Sequence, residues 1–250
     1  METIEDFAGR VALVTGAFRG LGFATAQRLA DRGAAVAVHV RDPERAADAA
    51  RRLGDRGFAV AGDLGNPADR QAIVARTLDR FGRLDVLVNN AAVALSTRFE
   101  KIDEEEWRRT FEINVTAVFL LIRAALPAMK EQRYGRIVNL SSTAGKTVST
   151  LGGAHYTASK AALLGLTRAA AKELGPYGVT VNAVCPGLFD TELTREHATP
   201  EQLESIAKTF PVRRLGDPVE VADLICFLAS EAASYITGAS LDINGGDLML

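Results

Sequence analysis

The segment Thr15-Gly16-Ala17-Phe18-Arg19-Gly20-Leu21-Gly22 decides the fold, because it joins a short apolar run to a helical pattern. The run before it, 11–15, reads Val-Ala-Leu-Val-Thr and is typical of a strand buried on both faces of a parallel sheet. Glycines let the backbone turn sharply there and approach a pyrophosphate closely. The helix that follows offers unpaired N–H groups and a positive dipole end. The segment therefore predicts a strand–turn–helix unit that binds the phosphates of a dinucleotide.

Short β-rich runs alternate with longer helical patterns along the rest of the chain. The predicted strands are 11–15, 35–40, 58–61, 86–89, 136–140, 179–184 and 240–243, and the predicted helices are 20–32, 43–53, 67–81, 104–130, 156–174 and 219–229. This alternation predicts an α/β, doubly wound (Rossmann) parallel sheet of about seven strands with helices on both faces. No linker-like stretch divides the chain, so we interpret residues 1–250 as a single domain.

The charge and the hydropathy pattern exclude two classes of function. The chain carries 29 basic and 31 acidic residues, interspersed, for a net charge of −2. It has no basic face or arm that would bind nucleic acid. The longest apolar run, 115–129, is broken by Arg123 and Pro127 and is too short to span a membrane. Together with an acidic start that is unlike a signal peptide, these features predict a soluble, cytoplasmic protein.

The cysteines and histidines do not form a metal-binding pattern. Cys185 and Cys226 lie in apolar contexts and are predicted to be buried thiols. His39, His155 and His197 are far apart and lack companion ligands at useful spacing. The sequence therefore predicts no metal centre.

One region departs from the alternation of strands and helices. Residues 190–214 follow a strand but do not lead directly into the next core helix. They include Pro200, Pro211 and a short helical pattern near 201–208. Long excursions in compact domains are often lids or binding loops, and we interpret this one as a substrate lid.

The residues after the second predicted strand indicate which dinucleotide binds. An NAD-binding chain places an acid at the end of this strand to bind the ribose hydroxyls, but Val40 stands there and Arg41 follows. Arg19, inside the glycine turn, can reach the same corner. Two guanidinium groups suit a 2′-phosphate. The sequence therefore predicts NADP(H), whereas an inward-pointing Asp42 would serve the ribose instead.

A tyrosine and a lysine, Tyr156 and Lys160, lie one helical turn apart in the run Tyr-Thr-Ala-Ser-Lys. Residues four apart share a helix face, and a nearby ammonium lowers the pKa of a phenol from its free value of about 10. A phenol tuned toward working pH is an efficient acid–base catalyst. Ser142 ends a predicted strand at the sheet edge where ligands bind. Asn114 is a polar residue in an apolar helical pattern, so it needs partners.

With these motifs in this order, the chain resembles the short-chain dehydrogenase/reductase family over essentially all 250 residues. The resemblance implies a nicotinamide-dependent oxidoreductase acting on a ketone or secondary alcohol. It implies the catalytic tetrad Asn114, Ser142, Tyr156 and Lys160, in which Asn114 holds a water that connects to Lys160. Tyr156 would protonate the developing alkoxide while Ser142 stabilises it.

The resemblance also implies most of the cofactor-binding residues. Asp63 and Leu64 match an adenine-contacting pair, and Ala92 replaces a glycine in the turn under the cofactor. The Pro-Gly turn at 186–187 and the residues after it match the segment that orients the nicotinamide. The complete predicted set is Gly16, Arg19, Gly20, Leu21, Gly22, Arg41, Asp63, Leu64, Asn90, Ala91, Ala92, Tyr156, Lys160, Pro186, Gly187, Phe189 and Thr191.

The C-terminal part favours one branch of that family. Segments 214–220, 234–238 and 244–246 are similar to the 3-oxoacyl-acyl-carrier-protein reductases, which use basic residues to dock an acidic carrier protein. Arg133 matches one docking position, whereas Tyr177 stands at the other. A 3-oxoacyl thioester is therefore one predicted substrate, with acyl carrier protein as a candidate partner. The alternative is a free small, cyclic or polyketide-type ketone.

Two further expectations concern activity and assembly. A catalytically silent NADP-binding protein is a second class of function, and the intact tetrad argues against it. By resemblance the chain forms a homodimer or homotetramer through helices 104–130 and 156–174 and its C-terminal segment.

Overall fold

The computed structural model describes residues 6–149 and 151–250. These residues form one seven-stranded parallel sheet with helices packed around it. The acidic start, residues 1–5, lies outside the described residues. The strands are β1 (Val11–Thr15), β2 (Ala35–Val40), β3 (Gly57–Ala61), β4 (Val86–Asn89), β5 (Gly135–Leu140), β6 (Val179–Pro186) and β7 (Ser240–Ile243). Their order across the sheet is β3-β2-β1-β4-β5-β6-β7. Every predicted strand is present, and β3, β5 and β6 extend beyond the predicted bounds.

Helices cover both faces of the sheet. They are α1 (Gly20–Asp31), α2 (Pro43–Arg52), α3 (Pro67–Phe81), α4 (Glu104–Phe111), α5 (Ala117–Gln132), α6 (Ala154–Leu174), α7 (Glu192–His197), α8 (Pro200–Ala207) and α9 (Pro218–Ala229). Successive side chains of a strand point to opposite faces. Accordingly, Ala12 and Val14 of β1 pack with α1, α2 and α9, whereas Leu13 packs with α3, α5 and α6. The predicted doubly wound fold is confirmed.

The long helix predicted over 104–130 contains a π-helical turn. Residues Glu112–Thr116 form this turn between α4 and α5, and such turns are frequent at functional sites. Among the described residues, one continuous helix, Glu104–Gln132, is long and apolar enough by length and composition to cross a membrane. Leu121, Ile122 and Met129 of this helix are buried in the core against the sheet, as in the core helix of a globular domain.

The chain reverses its direction across the sheet beside β1. It runs outward from β1 to β2 and β3, returns to β4 on the other side of β1, and continues to β7. The reversal leaves a crevice at the carboxyl ends of β1 and β4, where open α/β sheets bind ligands. Residues 190–214 lie at this edge. They form the helix predicted near 201–208, which is α8, and the additional helix α7.

Candidate active site

The glycine turn is held against β4 by close backbone packing. Gly16 has a φ of +65° and Gly20 of +56°, conformations that favour glycine. A Cβ on Gly22 would lie 2.4 Å from Nδ2 of Asn90 and 2.5 Å from the carbonyl oxygen of Gly16. The Asn90 amide donates to the carbonyl oxygens of Thr15, at 2.8 Å, and Gly16, at 3.1 Å. Asn90 therefore fixes the shape of the turn.

The N-terminus of α1 carries the backbone donors that an anion needs. Its N-cap residue, Arg19, makes no side-chain capping hydrogen bond, whereas Asp42 caps α2 and Asn66 caps α3. The first turn of a helix has unpaired N–H groups unless a side chain or ligand accepts them. These donors and the glycine cradle open into a cleft of about 640 Å³. The site therefore fits the pyrophosphate of a dinucleotide.

Asp42 does not compete for the ribose in this structure. Its carboxylate accepts the backbone N–H of Arg45 at 2.9 Å as the N-cap of α2. Arg41, directly before it, is exposed at the end of β2. Arg19 pairs with Glu196 of α7, through contacts of 2.5 and 3.2 Å. Arg19 lines the cleft but Arg41 does not, and the inward-pointing Asp42 that the sequence left open is not observed.

Asp63 and Leu64 lie apart from the residues that line the cleft. The Leu64 side chain is buried in the core between the sheet and α3. One oxygen of Asp63 accepts the backbone N–H of Gly65 at 2.8 Å, within its own turn. Their contact with an adenine ring stays a prediction.

Ser142, Tyr156 and Lys160 line the same cleft beyond the glycine turn. Lys160 is buried, its Nζ donates to the carbonyl oxygen of Leu140 at 2.6 Å, and it lies 5.6 Å from the centroid of the Tyr156 ring. Burial raises the pKa of Tyr156, and its hydrogen bond with Ser142 opposes that rise in part. The lowered Tyr156 pKa expected from sequence is wrong for this arrangement, because burial of the phenol outweighs its hydrogen bond with Ser142. A protonated phenol is the form that donates to an alkoxide.

The two adjacent serines that follow β5 have different surroundings. Ser141 is buried, and its hydroxyl donates to the carbonyl oxygen of Lys160 at 2.9 Å. The Ser142 hydroxyl accepts the backbone N–H of Ala144 at 3.1 Å and stands with Tyr156 in the cleft. Ser142 is therefore the serine that faces the cleft beside the phenol, and its bond to a substrate carbonyl stays a prediction.

Asn114 lies in the π-helical turn, buried behind the cleft. Its Oδ1 accepts the N–H of Val93 at 2.8 Å, and its Nδ2 donates to the carbonyl of Val93 at 2.9 Å and to Oγ of Ser159 at 3.0 Å. Ser159 in turn donates to the carbonyl oxygen of Tyr156 at 2.7 Å. The side chain thus ties the loop after β4 to the first turn of α6, and its water-holding role stays a prediction.

The segment after β6 forms the opposite wall of the cleft. Pro186, Gly187, Phe189 and Thr191 all line it, as do Leu21, Ala91 and Ala92 on the other side. The Thr191 hydroxyl accepts the backbone N–H of Thr194 at 3.2 Å and so caps α7. A Cβ on Gly187 would lie 2.7 Å from Cβ of Asn244. The turn is therefore held tightly against the segment after β7.

The residues predicted as a lid supply much of the apolar lining. Leu193 of α7, Ile206 of α8 and Phe210 face the cleft together with Leu151 and Leu188. Val93 and Leu95, from the loop after β4, line a separate, smaller depression beside Glu106, whereas Ala94 between them lines the cleft.

The burial predicted for the two cysteines is confirmed, and two of the histidines make polar contacts. Cys185 and Cys226 are buried, and no disulfide joins them. The buried His39 places Nε2 at 2.9 Å from the carbonyl oxygen of Gly62, and the buried His155 places Nε2 at 2.8 Å from Oε1 of Glu106. Within the described ranges, no group of three or more His, Cys, Asp or Glu residues is arranged to hold a metal ion.

Comparison with known proteins fixes the family. A family model described as enoyl-(acyl carrier protein) reductase matches residues 16–247. The 3-oxoacyl-[acyl-carrier-protein] reductase of Vibrio cholerae is 41% identical over 245 residues, covering 98% of this chain and 100% of that protein. The chain belongs to the short-chain dehydrogenase/reductase family.

Solved structures of this short-chain dehydrogenase/reductase fold superpose closely on the chain. The crystal structure of a 3-oxoacyl-[acyl-carrier protein] reductase from Brucella melitensis has a TM-score of 0.91 and 37% identity, covering 99% of this chain and 94% of that chain. A second structure from that organism, described with bound NAD, has a TM-score of 0.88 and 36% identity, with the same coverage of both chains.

Thr15 is a functional residue of this short-chain dehydrogenase/reductase that the sequence reasoning missed. Its hydroxyl accepts the backbone N–H groups of Asn90, at 3.0 Å, and Ala91, at 3.1 Å, and donates to Val88 at 3.3 Å. It therefore locks the turn after β4 to the glycine turn. The available signal was a hydroxyl residue at the end of an apolar strand, directly before the first glycine.

Lys160 predicts how activity depends on pH. Burial lowers the pKa of Lys160 to about 8. The family resemblance implies that Lys160 returns a proton to Tyr156. That proton is available below this pH and is lost above it. We expect kcat for carbonyl reduction to be level near neutrality and to fall by roughly tenfold per pH unit well above the pKa. Initial rates between pH 6 and 10 measure this, and a level profile across that whole range contradicts the assignment.

Proposed function

We propose that this chain is an NADP(H)-dependent reductase that converts the ketone of a 3-oxoacyl thioester into a secondary alcohol. The observation that carries the proposal is the convergence of Ser142, Tyr156 and Lys160 on a cleft that begins at a glycine-lined helix N-terminus. Relatives that match the whole chain and are named 3-oxoacyl-[acyl-carrier-protein] reductase support the same chemistry.

The side chains divide the work on the substrate as follows. A bound reduced nicotinamide supplies the hydride. The Ser142 hydroxyl donates a hydrogen bond to the carbonyl oxygen as negative charge develops there. The Tyr156 hydroxyl, kept protonated by its raised pKa, transfers its proton to that oxygen. Lys160 then returns a proton to the phenolate, with the carbonyl of Leu140 holding its Nζ in place.

Cofactor choice rests on Arg19, which lines the cleft, and on Arg41, which follows β2 and does not line it. Val40 ends β2 where an NAD-binding chain carries an acid, and Arg41 follows it. The Asp42 carboxylate is engaged as a helix cap. Arg19 at the glycine turn adds a second guanidinium. A 2′-phosphate accepts charge-assisted hydrogen bonds from such groups. These features favour NADP(H), even though one solved relative is described with bound NAD.

Replacing Arg41 tests this preference. Arg41→Ala is expected to weaken NADPH binding by about tenfold, the scale of one lost hydrogen bond to a charged group, and to leave NADH binding within twofold. Titration of nicotinamide fluorescence measures both constants. Arg51→Ala is the matched control, because Arg51 lies at the end of α2 and pairs there with Asp48. An equal loss for both cofactors, or no loss, refutes the role of Arg41.

The substrate carrier is the finer part of the proposal. Arg133 stands at a position that matches a carrier-docking residue, in a left-handed conformation with φ of 50° at the end of α5. Tyr177 replaces the second basic residue, but Nζ of Lys130 lies 3.8 Å from the centroid of its ring. A positive charge is therefore present beside Tyr177, which supports docking of an acidic carrier protein.

A substrate panel tests the carrier and the reaction together. NADPH oxidation is followed with one 3-oxoacyl group on acyl carrier protein, the same group on a short thioester, a cyclic ketone and a 2-enoyl thioester. We expect kcat/KM to be highest for the carrier-bound ketone. In Arg133→Glu, we expect kcat/KM to fall for this substrate and to stay unchanged for the others. Equal values for both thioesters refute docking. Turnover of the free ketone alone identifies the alternative substrate class, and turnover of the enoyl thioester alone refutes carbonyl reduction.

Exposed apolar side chains support an oligomeric assembly. Phe99, Trp107 and Phe119 are large apolar side chains that are exposed on or near the long helix, and Met249 and Leu250 are exposed at the C-terminus. Such exposure favours burial against further copies of the chain, so we expect a homodimer or homotetramer by light scattering. The lid role of residues 190–214 and the cytoplasmic location stay predictions.

A further inference from the structure

Arg19, which lines the cofactor cleft, forms an ion pair with Glu196 of α7. Nη1 and Nη2 of Arg19 contact the two carboxylate oxygens of Glu196 at 2.5 and 3.2 Å. Arg19 belongs to the glycine turn before α1, whereas Glu196 belongs to α7 in the segment predicted as a lid. The two residues are 177 positions apart in the chain, so the contact is a product of the tertiary fold.

The pair holds α7 against the phosphate-binding turn. A Cβ on Gly20 would lie 3.6 Å from the Thr191 side chain and 3.8 Å from a carboxylate oxygen of Glu192. Hydrogen bonding to Glu196 raises the pKa of Arg19, and the charges of Glu196 and Glu192 act in the same direction. The guanidinium of Arg19 therefore sits in an acidic environment supplied by α7.

A guanidinium offers a fixed fork of donors that matches either a carboxylate or a phosphate. The carboxylate of Glu196 engages both terminal nitrogens of that fork. A 2′-phosphate that binds Arg19 in the same bidentate way must displace Glu196. A ribose with a free 2′-hydroxyl does not need this displacement, because it brings no charge to the corner.

We propose that Glu196 is a determinant of cofactor specificity that competes with the 2′-phosphate for Arg19. It weakens the binding of NADP(H) relative to NAD(H), and binding of the phosphate releases α7 from the glycine turn. The inference rests on the proposed NADP(H)-dependent function and adds a residue outside the predicted cofactor-binding set.

Glu196→Gln tests the competition directly, because glutamine keeps the size of the side chain and removes its charge. NADPH is expected to bind about two- to fivefold more tightly to the variant, the range of one exposed ion pair. NADH binding is expected to change by less than twofold. Titration of nicotinamide fluorescence at low ionic strength measures both, and the gain is expected to shrink as salt screens the pair.

The chain offers a matched control on the same segment. Arg195 and Asp190 form a bidentate pair with both contacts at 2.8 Å, and neither residue lines the cleft. Asp190→Asn removes an acidic charge from this segment without touching the Arg19 fork. It is expected to leave both cofactor affinities unchanged, which separates the specific competition from the general loss of negative charge near the cleft.

Two further variants separate failure of this inference from failure of the proposed function. Arg19→Ala is expected to weaken NADPH binding selectively. In the double variant Arg19→Ala/Glu196→Gln, the gain in NADPH affinity from Glu196→Gln should vanish, because the interaction is pairwise. Suppose that Arg19→Ala selectively weakens NADPH binding, but Glu196→Gln changes the affinity for neither cofactor or for both equally. Then only the competition is refuted. If Arg19→Ala does not affect the NADPH preference, the role of Arg19 in the proposed cofactor choice fails.

Discussion

Tyr156→Phe is expected to retain NADPH binding and to lose all but about one part in a thousand of the reductive turnover, within the range for removal of a general acid. Phenylalanine keeps the ring that packs beside Gly152, where an added Cβ would lie 2.7 Å from the Tyr156 Cδ1. It removes only the hydroxyl that hydrogen-bonds with Ser142. Single-turnover rates with saturating NADPH measure the loss of the proton-transfer step separately from cofactor binding.

Tyr134→Phe is the matched control for that experiment. The Tyr134 hydroxyl donates to the carbonyl oxygen of Ala229 at 3.4 Å and does not line the cleft. Its removal is expected to leave kcat within twofold. Unchanged turnover in Tyr156→Phe removes the tyrosine from the mechanism, whatever the result for Tyr134.

Gly22→Ala is expected to abolish measurable nucleotide binding and to lower the melting temperature. The added methyl would meet Nδ2 of Asn90 and the Gly16 carbonyl oxygen at 2.4 and 2.5 Å. The oxygen belongs to the backbone, so the turn itself has to shift. Overpacking typically costs about 1–3 kcal/mol, which corresponds to a fall of roughly 3–10 °C for a chain of this length. Calorimetry and NADPH titration measure the two effects.

Gly165→Ala provides the comparison at a helical glycine. Gly165 lies inside α6, and a Cβ there would meet nothing within 4 Å. Alanine is favoured over glycine in a helix interior, so this variant is expected to bind NADPH normally and to melt at the same or a slightly higher temperature. Normal NADPH binding by Gly22→Ala contradicts the cradle described for the glycine turn.

Local sequence patterns were enough to predict the strands, the helices and the helix face that Tyr156 and Lys160 share. Continuous apolar runs specify strands buried on both faces, and a spacing of four residues specifies one helix face. The predicted fold is confirmed on these grounds. Ser142, predicted at the carboxyl end of a strand, follows β5 and lines the cleft with Tyr156.

The pKa of Tyr156 shows where local reasoning fails. Spacing alone brings an ammonium near the phenol and predicts a lowered pKa. The fold instead buries the ring and directs Nζ of Lys160 to the carbonyl of Leu140, so the pKa of Tyr156 rises. The extent of burial depends on the residues packed around the phenol, and the spacing of Tyr156 and Lys160 does not specify those residues.

The sequence by itself determined a doubly wound sheet, a phosphate-binding turn and a tyrosine–lysine helix face, since each follows from periodicity or from the backbone freedom of glycine. Only the tertiary structure decided that Asp42 caps a helix, that Thr15 locks the turn 75 residues away, and that Glu196 reaches Arg19. Hydrogen bonds and ion pairs between distant segments depend on angles and distances that the whole packed domain fixes. No local pattern in the chain specifies them.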